Sequence, residues 1–196
     1  MLSNHTHFAI DFNTLGVSFN SALASVAVVP FVIGDDKSFD DYVQAGETFY
    51  FDVEHQVRSY NRKVLKSTIN YWVDKNPDFK TAKKNQLLTF EFFIDSFETF
   101  LKEHKYSRES SLLFSWGSHF DFPLLESIYN DFKMPMGYNA IRVRDFKSVF
   151  DLIAGGTNGQ YRSPTTEVDH YNHYYTIHNA SLNILKYNEI MKNFTD

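Results

Sequence analysis

Apolar and polar positions alternate in the first quarter of the chain in a way that is typical of β-strands. We predict strands for HFAIDF (7–12), ALASVAVVPFVI (22–33) and GETFYFDV (46–53). Pro30 lies inside the second segment and has no N–H, so we expect loose pairing or an edge position there. Three successive strands of this kind predict an antiparallel meander.

The rest of the chain shows helical spacing, interrupted by two short strands. In NQLLTFEFFIDSFETFLKEH (85–104), apolar residues recur every three or four positions, with charged residues opposite them. Helices are also predicted for 63–76, 119–132, 144–156 and 177–194, strands for 111–117 and 140–143, and a polar loop for 157–172. This order predicts a mixed α/β sheet with helices on both faces, in a single domain of residues 1–196.

Composition narrows the class of protein. The 196 residues, 43% of them hydrophobic and 17% aromatic, are enough to build a sizeable core. The net charge of −5 argues against a broad basic surface for nucleic acid but leaves room for a local basic groove. The absence of cysteine excludes disulfides and thiolate metal sites. The N-terminus lacks the features of a signal peptide, and the longest apolar stretch is too short to cross a bilayer, so we expect a cytoplasmic protein without a membrane partner.

The candidate chemistry lies at strand ends and helix starts. Asp11 ends the first strand, Asp121 follows strand 111–117, and His178 begins the last helix, with Asn183 five residues later. Such positions gather at one rim of an α/β sheet, where these folds bind ligands. Taken singly, each residue has an ordinary explanation, such as Asp121 acting as a first-turn acid of its helix. Their order and spacing together favour a shared site.

These motifs resemble those of the DEDD superfamily of 3′→5′ exonucleases, in its DEDDh (DnaQ-like) branch, and most of all the exonuclease A group of T-even phages. The family motifs are Asp-x-Glu-Thr, an Asp that follows a Phe after a strand, and a His with an Asp five residues later. Here they read Asp11-Phe12-Asn13-Thr14, Phe120-Asp121-Phe122 and His178 to Asn183. The resemblance covers nearly the whole chain and implies a ribonuclease H-like fold.

The resemblance also implies a two-metal phosphodiester hydrolase. In the family, four carboxylates hold two Mg²⁺ or Mn²⁺ ions, and the histidine acts as general base. Here Asp11 and Asp121 remain as ligands and His178 as the base, whereas Asn13 and Asn183 replace a Glu and an Asp. An amide oxygen ligates such ions without adding charge. A unit-charge pair near 4 Å is worth about 4 kcal/mol at an effective dielectric of 20, so we expect metal binding to be weakened by several orders of magnitude.

Three interpretations remain open from the sequence. The first is a working exonuclease with a depleted site, using Mn²⁺ or a substitute ligand such as Glu126. The second is a catalytically silent relative that still binds single-stranded ends or a protein partner of host or phage origin. The third is an active enzyme that was inactivated deliberately, although Gln is a more usual replacement for Glu than Asn. We favour catalysis that is lost or feeble.

We expect the protein to bind a single strand even if catalysis is lost. The resemblance implies that Thr14 and Leu15 hold the terminal nucleotide and separate its last bases. Phe120 and Trp72 are candidates for stacking on bases, with core packing as the alternative. Candidates for phosphate contacts, with a solvated charged face as the alternative, are Arg58, Arg62, Lys63, Lys66, Lys80, Lys83 and Lys84. We therefore expect 3′ ends of single-stranded DNA or RNA as partners, and by fold-level analogy a homodimer.

Overall fold

A single six-stranded sheet forms the centre of the molecule. The computed structural model describes residues 4–75, 87–153, 155 and 168–193, without the side chains of 71–74 and 193. The strands are β1 (His7–Thr14), β2 (Leu23–Phe31), β3 (Glu47–Phe51), β4 (Leu87–Leu88), β5 (Leu113–Ser115) and β6 (Val143–Asp145). Their order in the sheet is β4-β3-β2-β1-β5-β6.

The pairing of the strands confirms the predicted meander and the mixed sheet. The β1–β2 and β2–β3 pairs are antiparallel, whereas β1–β5, β5–β6 and β3–β4 are parallel. β3 pairs only with Ser25–Val28 of β2, so Pro30 lies beyond that ladder, as its missing N–H requires. The β1–β2 register shifts between Asn13 and Thr14, because Ala24 of β2 has no partner there. Such bulges bend a strand and are frequent beside functional sites.

Seven α-helices and one 3₁₀ turn surround the sheet in the described residues. The helices are α1 (Phe39–Ala45), α2 (Val53–Tyr60), α3 (Lys66–Lys75), α4 (Phe90–Glu103), α5 (Ser118–Asp131), α6 (Phe146–Ile153) and α7 (Thr176–Asn193), and the 3₁₀ turn is Ala140–Arg142. None of the helices in these ranges is long and apolar enough to cross a bilayer.

Several predicted boundaries were wrong. The sequence pattern missed α1, which a capping box of Ser38 and Asp41 starts, and α2, which Asp52 caps. Residues 87–88, predicted as helix, pair with β3 as β4, and the strand predicted at 140–143 is a 3₁₀ turn followed by β6. Most of the loop predicted at 157–172 lies outside the described residues.

Apolar residues on the two faces of the sheet form two core clusters, so the prediction of helices on both faces is confirmed. Phe8 and Ile10 of β1 pack with residues of α4 and α5, whereas Ala9 packs with residues of α6 and α7. The side chains of β1 therefore alternate between the two faces. Asp11 and Asn13 lie two and four residues after Ala9, so their side chains are on the same face of the sheet as Ala9, towards α7.

Candidate functional site

Asp11 lies near the end of β1, where the strand faces α7. Its Oδ2 atom accepts a hydrogen bond of 3.2 Å from Asn179 Nδ2. The carboxyl group has lost most of its hydration, and this burial raises its pKa to about 7. The Asn179 hydrogen bond lowers the pKa by less than burial raises it.

Asp121 lies in the first turn of α5, directly after β5, and is 8% exposed. Burial raises its pKa to about 8, and the charge of Asp11 adds to that rise, followed by the charge of Asp145. The structure therefore brings Asp11 and Asp121 within range of each other's charge. With these pKa values the two carboxyl groups together carry less than their full charge of −2 at pH 7 unless a cation compensates them.

Asp145, which the sequence analysis did not single out, fixes the start of α5. Its Oδ2 accepts hydrogen bonds from the backbone N–H groups of Gly117 (2.9 Å) and Ser118 (2.7 Å). Its Oδ1 accepts bonds from the N–H (2.7 Å) and hydroxyl (2.9 Å) of Ser148. Gly117 has φ +127°, a backbone conformation that side chains disfavour. Asp145 thus ties β6 to the turn that carries Asp121.

The two asparagines at the motif positions, Asn13 and Asn183, lie in different surroundings. Asn13 is 3% exposed, and its Nδ2 donates to the carbonyl oxygen of Tyr174 at 3.3 Å. Asn183 is half-buried on α7, one turn after Asn179. An amide can donate to that carbonyl but a carboxylate cannot, so Asn13 suits this arrangement better than the family's Glu does.

His178 contacts a segment that we call the strap, residues 168–175, which precedes α7. The backbone N–H of Asn172 donates to His178 Nδ1 at 3.1 Å. Phe39 of α1 meets the His178 ring edge-on, with ring centroids 5.1 Å apart, and Tyr175 lies 5.0 Å away. Since a backbone N–H only donates, Nδ1 carries the lone pair and Nε2 carries the proton of the neutral ring. In this arrangement His178 has no lone pair left to accept a proton from water.

Asn179 connects the strap to Asp11, a role that the sequence analysis missed. Besides its bond to Asp11, its Nδ2 donates to the carbonyl oxygen of His173 at 3.1 Å, and its Oδ1 accepts from the Tyr171 hydroxyl at 2.7 Å. The spacing Thr176–Asn179–Asn183 along α7 is helical and is the signal by which the residue could have been found.

The residues predicted to contact nucleotides differ in how exposed their side chains are. Thr14 is half-buried, and its hydroxyl donates to the carbonyl oxygen of Gly16 at 2.7 Å. Leu15 is 1% exposed and packs with Ala22 and Ala24, so it offers no surface for bases in this structure. Phe120 is half-buried at the start of α5. The side chain of Trp72 lies outside the described residues.

The predicted phosphate contacts need one correction. Arg62 is not on the surface: its side chain is 2% exposed and forms an ion pair of 2.6 Å with Asp131. Arg58 is exposed and pairs with Glu54 within α2. Lys63 and Lys66 are exposed, as a phosphate contact requires, whereas Lys80, Lys83 and Lys84 lie outside the described residues. Arg62 is therefore a structural residue.

Few metal-ligating donors remain in this site. Asp11 and Asp121 supply two carboxylates, and in the described ranges no group of three or more His, Asp or Glu side chains is arranged to hold a metal ion. Glu126, the predicted substitute ligand, is exposed. Its charge adds to the rise in the pKa of Tyr138 that burial causes. The buried carboxyl pair, with its raised pKa values, is the feature that a single cation would compensate.

Comparisons with known proteins agree on the kind of domain. A family model described as the 3′-5′ exoribonuclease Rv2179c-like domain matches residues 6–185. An exodeoxyribonuclease of Enterobacteria phage T4 is 29% identical over 147 residues, which are 71% of this chain and 63% of the phage protein. The chain thus spans less than two thirds of that relative.

Solved structures share the fold at low sequence identity. The zinc-bound complex of E. coli exonuclease I with single-stranded DNA has a TM-score of 0.66 at 12% identity, covering 97% of this chain and 41% of that one. The nuclease domain of 3′hExo, a DEDDh family member bound to rAMP, has a TM-score of 0.65 at 10% identity, covering 98% and 95%. The predicted DnaQ-like exonuclease fold is confirmed.

Proposed function

This chain belongs to the 3′-5′ exoribonuclease Rv2179c-like domain family, and we propose that it binds the 3′ end of a single-stranded nucleic acid while its phosphodiester hydrolysis is lost or feeble. One observation carries the proposal: Asp11, one of the two remaining carboxylates, accepts an amide N–H from Asn179. The other two family carboxylates are Asn13 and Asn183. An amide of the chain itself therefore donates to a carboxylate that serves the family as a metal ligand.

Metal binding by this site is proposed to be weak. Asp11 and Asp121 would hold one Mg²⁺ or Mn²⁺ ion, with amide oxygens as neutral ligands. When bound, such an ion would stabilise the negative charge that develops during phosphodiester cleavage. The chain's own residues oppose this use, because Asn179 occupies one lone pair of Asp11 Oδ2, and the strap must release Nδ1 of His178 before that nitrogen can accept a proton.

A working exonuclease is the second candidate. Retention of Asp11, Asp121 and His178 favours it, since a silent protein has no chemical need for all three. The proposal that the natural strand is RNA rests on the family description, and the proposal that it is DNA rests on the T4 relative, so both belong in the test.

The test restores the missing charge. Asn13→Glu combined with Asn183→Asp returns four carboxylates, and Mg²⁺ affinity measured by titration calorimetry should rise by at least one hundredfold. Each single change should do little, because the ligands of one ion act as a unit. Asn13→Glu also breaks the bond to Tyr174 and should loosen the strap, which the double variant needs for activity.

The assay follows 5′-labelled single-stranded DNA and RNA, with a free or a phosphorylated 3′ end, in Mg²⁺ and in Mn²⁺. The double variant should shorten the strands with a free 3′ end, and the parent should bind them in EDTA without shortening them in Mg²⁺. Asp121→Ala in the double variant is the matched control and should abolish activity. A parent that degrades as fast as the double variant would establish the second candidate instead.

A further inference from the structure

An aromatic pair, one ring exposed and the other half-buried, lies at the start of α5, the helix that carries Asp121. Phe19, in the loop of residues 15–21 that follows β1, is 54% exposed. Its ring centroid lies 6.0 Å from that of Phe120, with 37° between the ring planes. Phe120 immediately precedes Asp121 in α5. The two rings therefore offer an aromatic surface next to the candidate site, and aromatic faces stack on nucleic-acid bases of any sequence.

The loop that presents Phe19 is anchored by a buried cation. Nη1 of Arg62 donates to the carbonyl oxygen of Phe19 at 3.1 Å and to the Ser127 hydroxyl at 2.8 Å. The guanidinium also pairs with Asp131 at 2.6 Å and lies 5.0 Å over the ring of Phe90. Burying an arginine is costly, and here its bonds fix the backbone of an exposed loop. A ring on a fixed backbone loses less conformational entropy when a ligand stacks on it.

Basic side chains border the same loop. The N–H of Lys63 donates to the carbonyl oxygen of Asn20 at 2.7 Å, and the N–H of Ala22 donates to the carbonyl oxygen of Lys63 at 2.8 Å. This backbone pairing holds Lys63 against the loop, and Lys66 begins α3 three residues later. Both lysines are exposed. Their positive charge complements the phosphates of a strand whose bases lie on the aromatic pair.

We propose that Phe19 and Phe120 form a stacking platform for the nucleotides next to the 3′-terminal one, with Lys63 and Lys66 along the phosphates. The strand then leaves the carboxylate pair across residues 15–21 and 61–66. Arg62 acts as a positioning residue for Phe19 without touching the strand. This inference rests on the proposed function, since it assumes that a single strand is the ligand, and it adds which residues hold the strand and which way it runs.

The experiment measures binding without catalysis. Twelve-nucleotide DNA and RNA strands, labelled with fluorescein at the 5′ end, are titrated in EDTA and followed by anisotropy. Stacking is worth about 1–3 kcal/mol per base, so Phe19→Ala should weaken binding by about 5-fold to 160-fold. Phe19→Trp keeps an aromatic face and should bind like the parent. Phe92→Ala, at a phenylalanine of α4 that is 66% exposed, is the matched control and should leave affinity unchanged.

Two further readouts separate stacking and charge from a structural effect. With 2-aminopurine at successive positions from the 3′ end, quenching by the parent should peak at the second or third position and disappear in Phe19→Ala. Affinity for a single strand falls as salt rises, and each phosphate contact adds about 0.7 to the steepness of a plot of log affinity against log salt concentration. The double change Lys63→Glu and Lys66→Glu removes two such contacts and should make this plot less steep by about 1.4. The melting temperature of Phe19→Ala should match that of the parent, because the ring is exposed.

The outcomes distinguish the two proposals. A parent that prefers a free 3′ end and is unaffected by Phe19→Ala would overturn the platform and leave the proposed function standing. A parent that binds no DNA or RNA strand at low salt would overturn both. Loss of binding in Phe92→Ala equal to that in Phe19→Ala would also overturn the platform, because aromatic exposure alone would then explain the result.

Discussion

Raising the pH from 7 to 9 should destabilise the folded chain, because two buried carboxyl groups must then ionise. Burial raises the pKa of Asp11 to about 7, and burial together with the charge of Asp11 raises that of Asp121 to about 8. In the unfolded chain both groups have lost their protons before pH 7. The folded state therefore binds more protons than the unfolded state at pH 7, and its stability falls as a rising pH removes them.

The pKa values fix the size of this effect. At 1.36 kcal/mol per pKa unit, the free energy of unfolding should fall by about 2 kcal/mol between pH 7 and pH 9, most of it from Asp121, whose pKa lies inside this range. The window starts at pH 7 because burial lowers the pKa of His7 to about 4. Between pH 4 and 6.5 the unfolded chain binds the His7 proton more readily than the folded chain does, so the protein gains stability as the pH rises towards 6.5. Below pH 7 this gain would mask the loss of stability caused by the two carboxyl groups.

Urea denaturation in EDTA at pH 7, 8 and 9 measures the effect. Asp121→Asn removes the larger contribution, so the stability of this variant should fall by less than half of the parent's loss over the same range. Asp95→Asn, at an exposed carboxyl of α4, should follow the parent. Millimolar Mg²⁺ should return part of the lost stability at pH 9 by binding the ionised pair. A parent with constant stability, or an Asp121→Asn variant with the slope of the parent, would refute the reasoning.

Two further predictions concern the frame around the site. Gln56 Nε2 donates to the carbonyl oxygen of Leu23 at 2.9 Å, and Gln56 Oε1 accepts from its N–H at 2.8 Å, so Gln56→Met should cost about 2–4 kcal/mol in urea denaturation. An unchanged midpoint would show that water replaces the side chain. A Cβ at Gly46 would lie 2.8 Å from Val29 Cγ2, so Gly46→Ala should cost about 1–3 kcal/mol in the same assay, with the exposed Gln44→Ala as a control within about 0.5 kcal/mol. Equal midpoints for the two alanine variants would contradict that steric argument.

Long periodic segments could be predicted from the sequence, because their pattern is set by the core that they pack against. The helix predicted at 85–104 buries Phe90, Ile94, Phe97 and Leu101, as its spacing indicated. The short helices α1 and α2 could not be predicted from the sequence, since they depend on caps and on neighbouring elements more than on periodicity. Residues 87–88 became a strand because β3 offers an edge to pair with, which no local pattern reveals.

The motif residues of the candidate site could be found from their order, but their partners could not. Asp11 and Asp121 come from distant segments that only the sheet brings together. Asn179 follows His178 directly, yet its bond to Asp11 depends on how α7 is rotated against β1. Arg62 resembles a surface cation in the sequence, and only the packing of Asp131, Ser127 and Phe90 shows that it is buried.

The shortness of the two outer strands limits how this domain can associate with copies of itself. β4 has two residues and β6 has three, so in the described part of the chain neither edge offers a long template for backbone pairing. Transiently unfolded chains therefore find little edge on which to add a strand, which reduces the risk of aggregation by sheet extension. The short edges in the described residues favour a homodimer interface of helix and loop side chains over one that extends the sheet. Such an interface can then change in evolution without disturbing the sheet that holds the site.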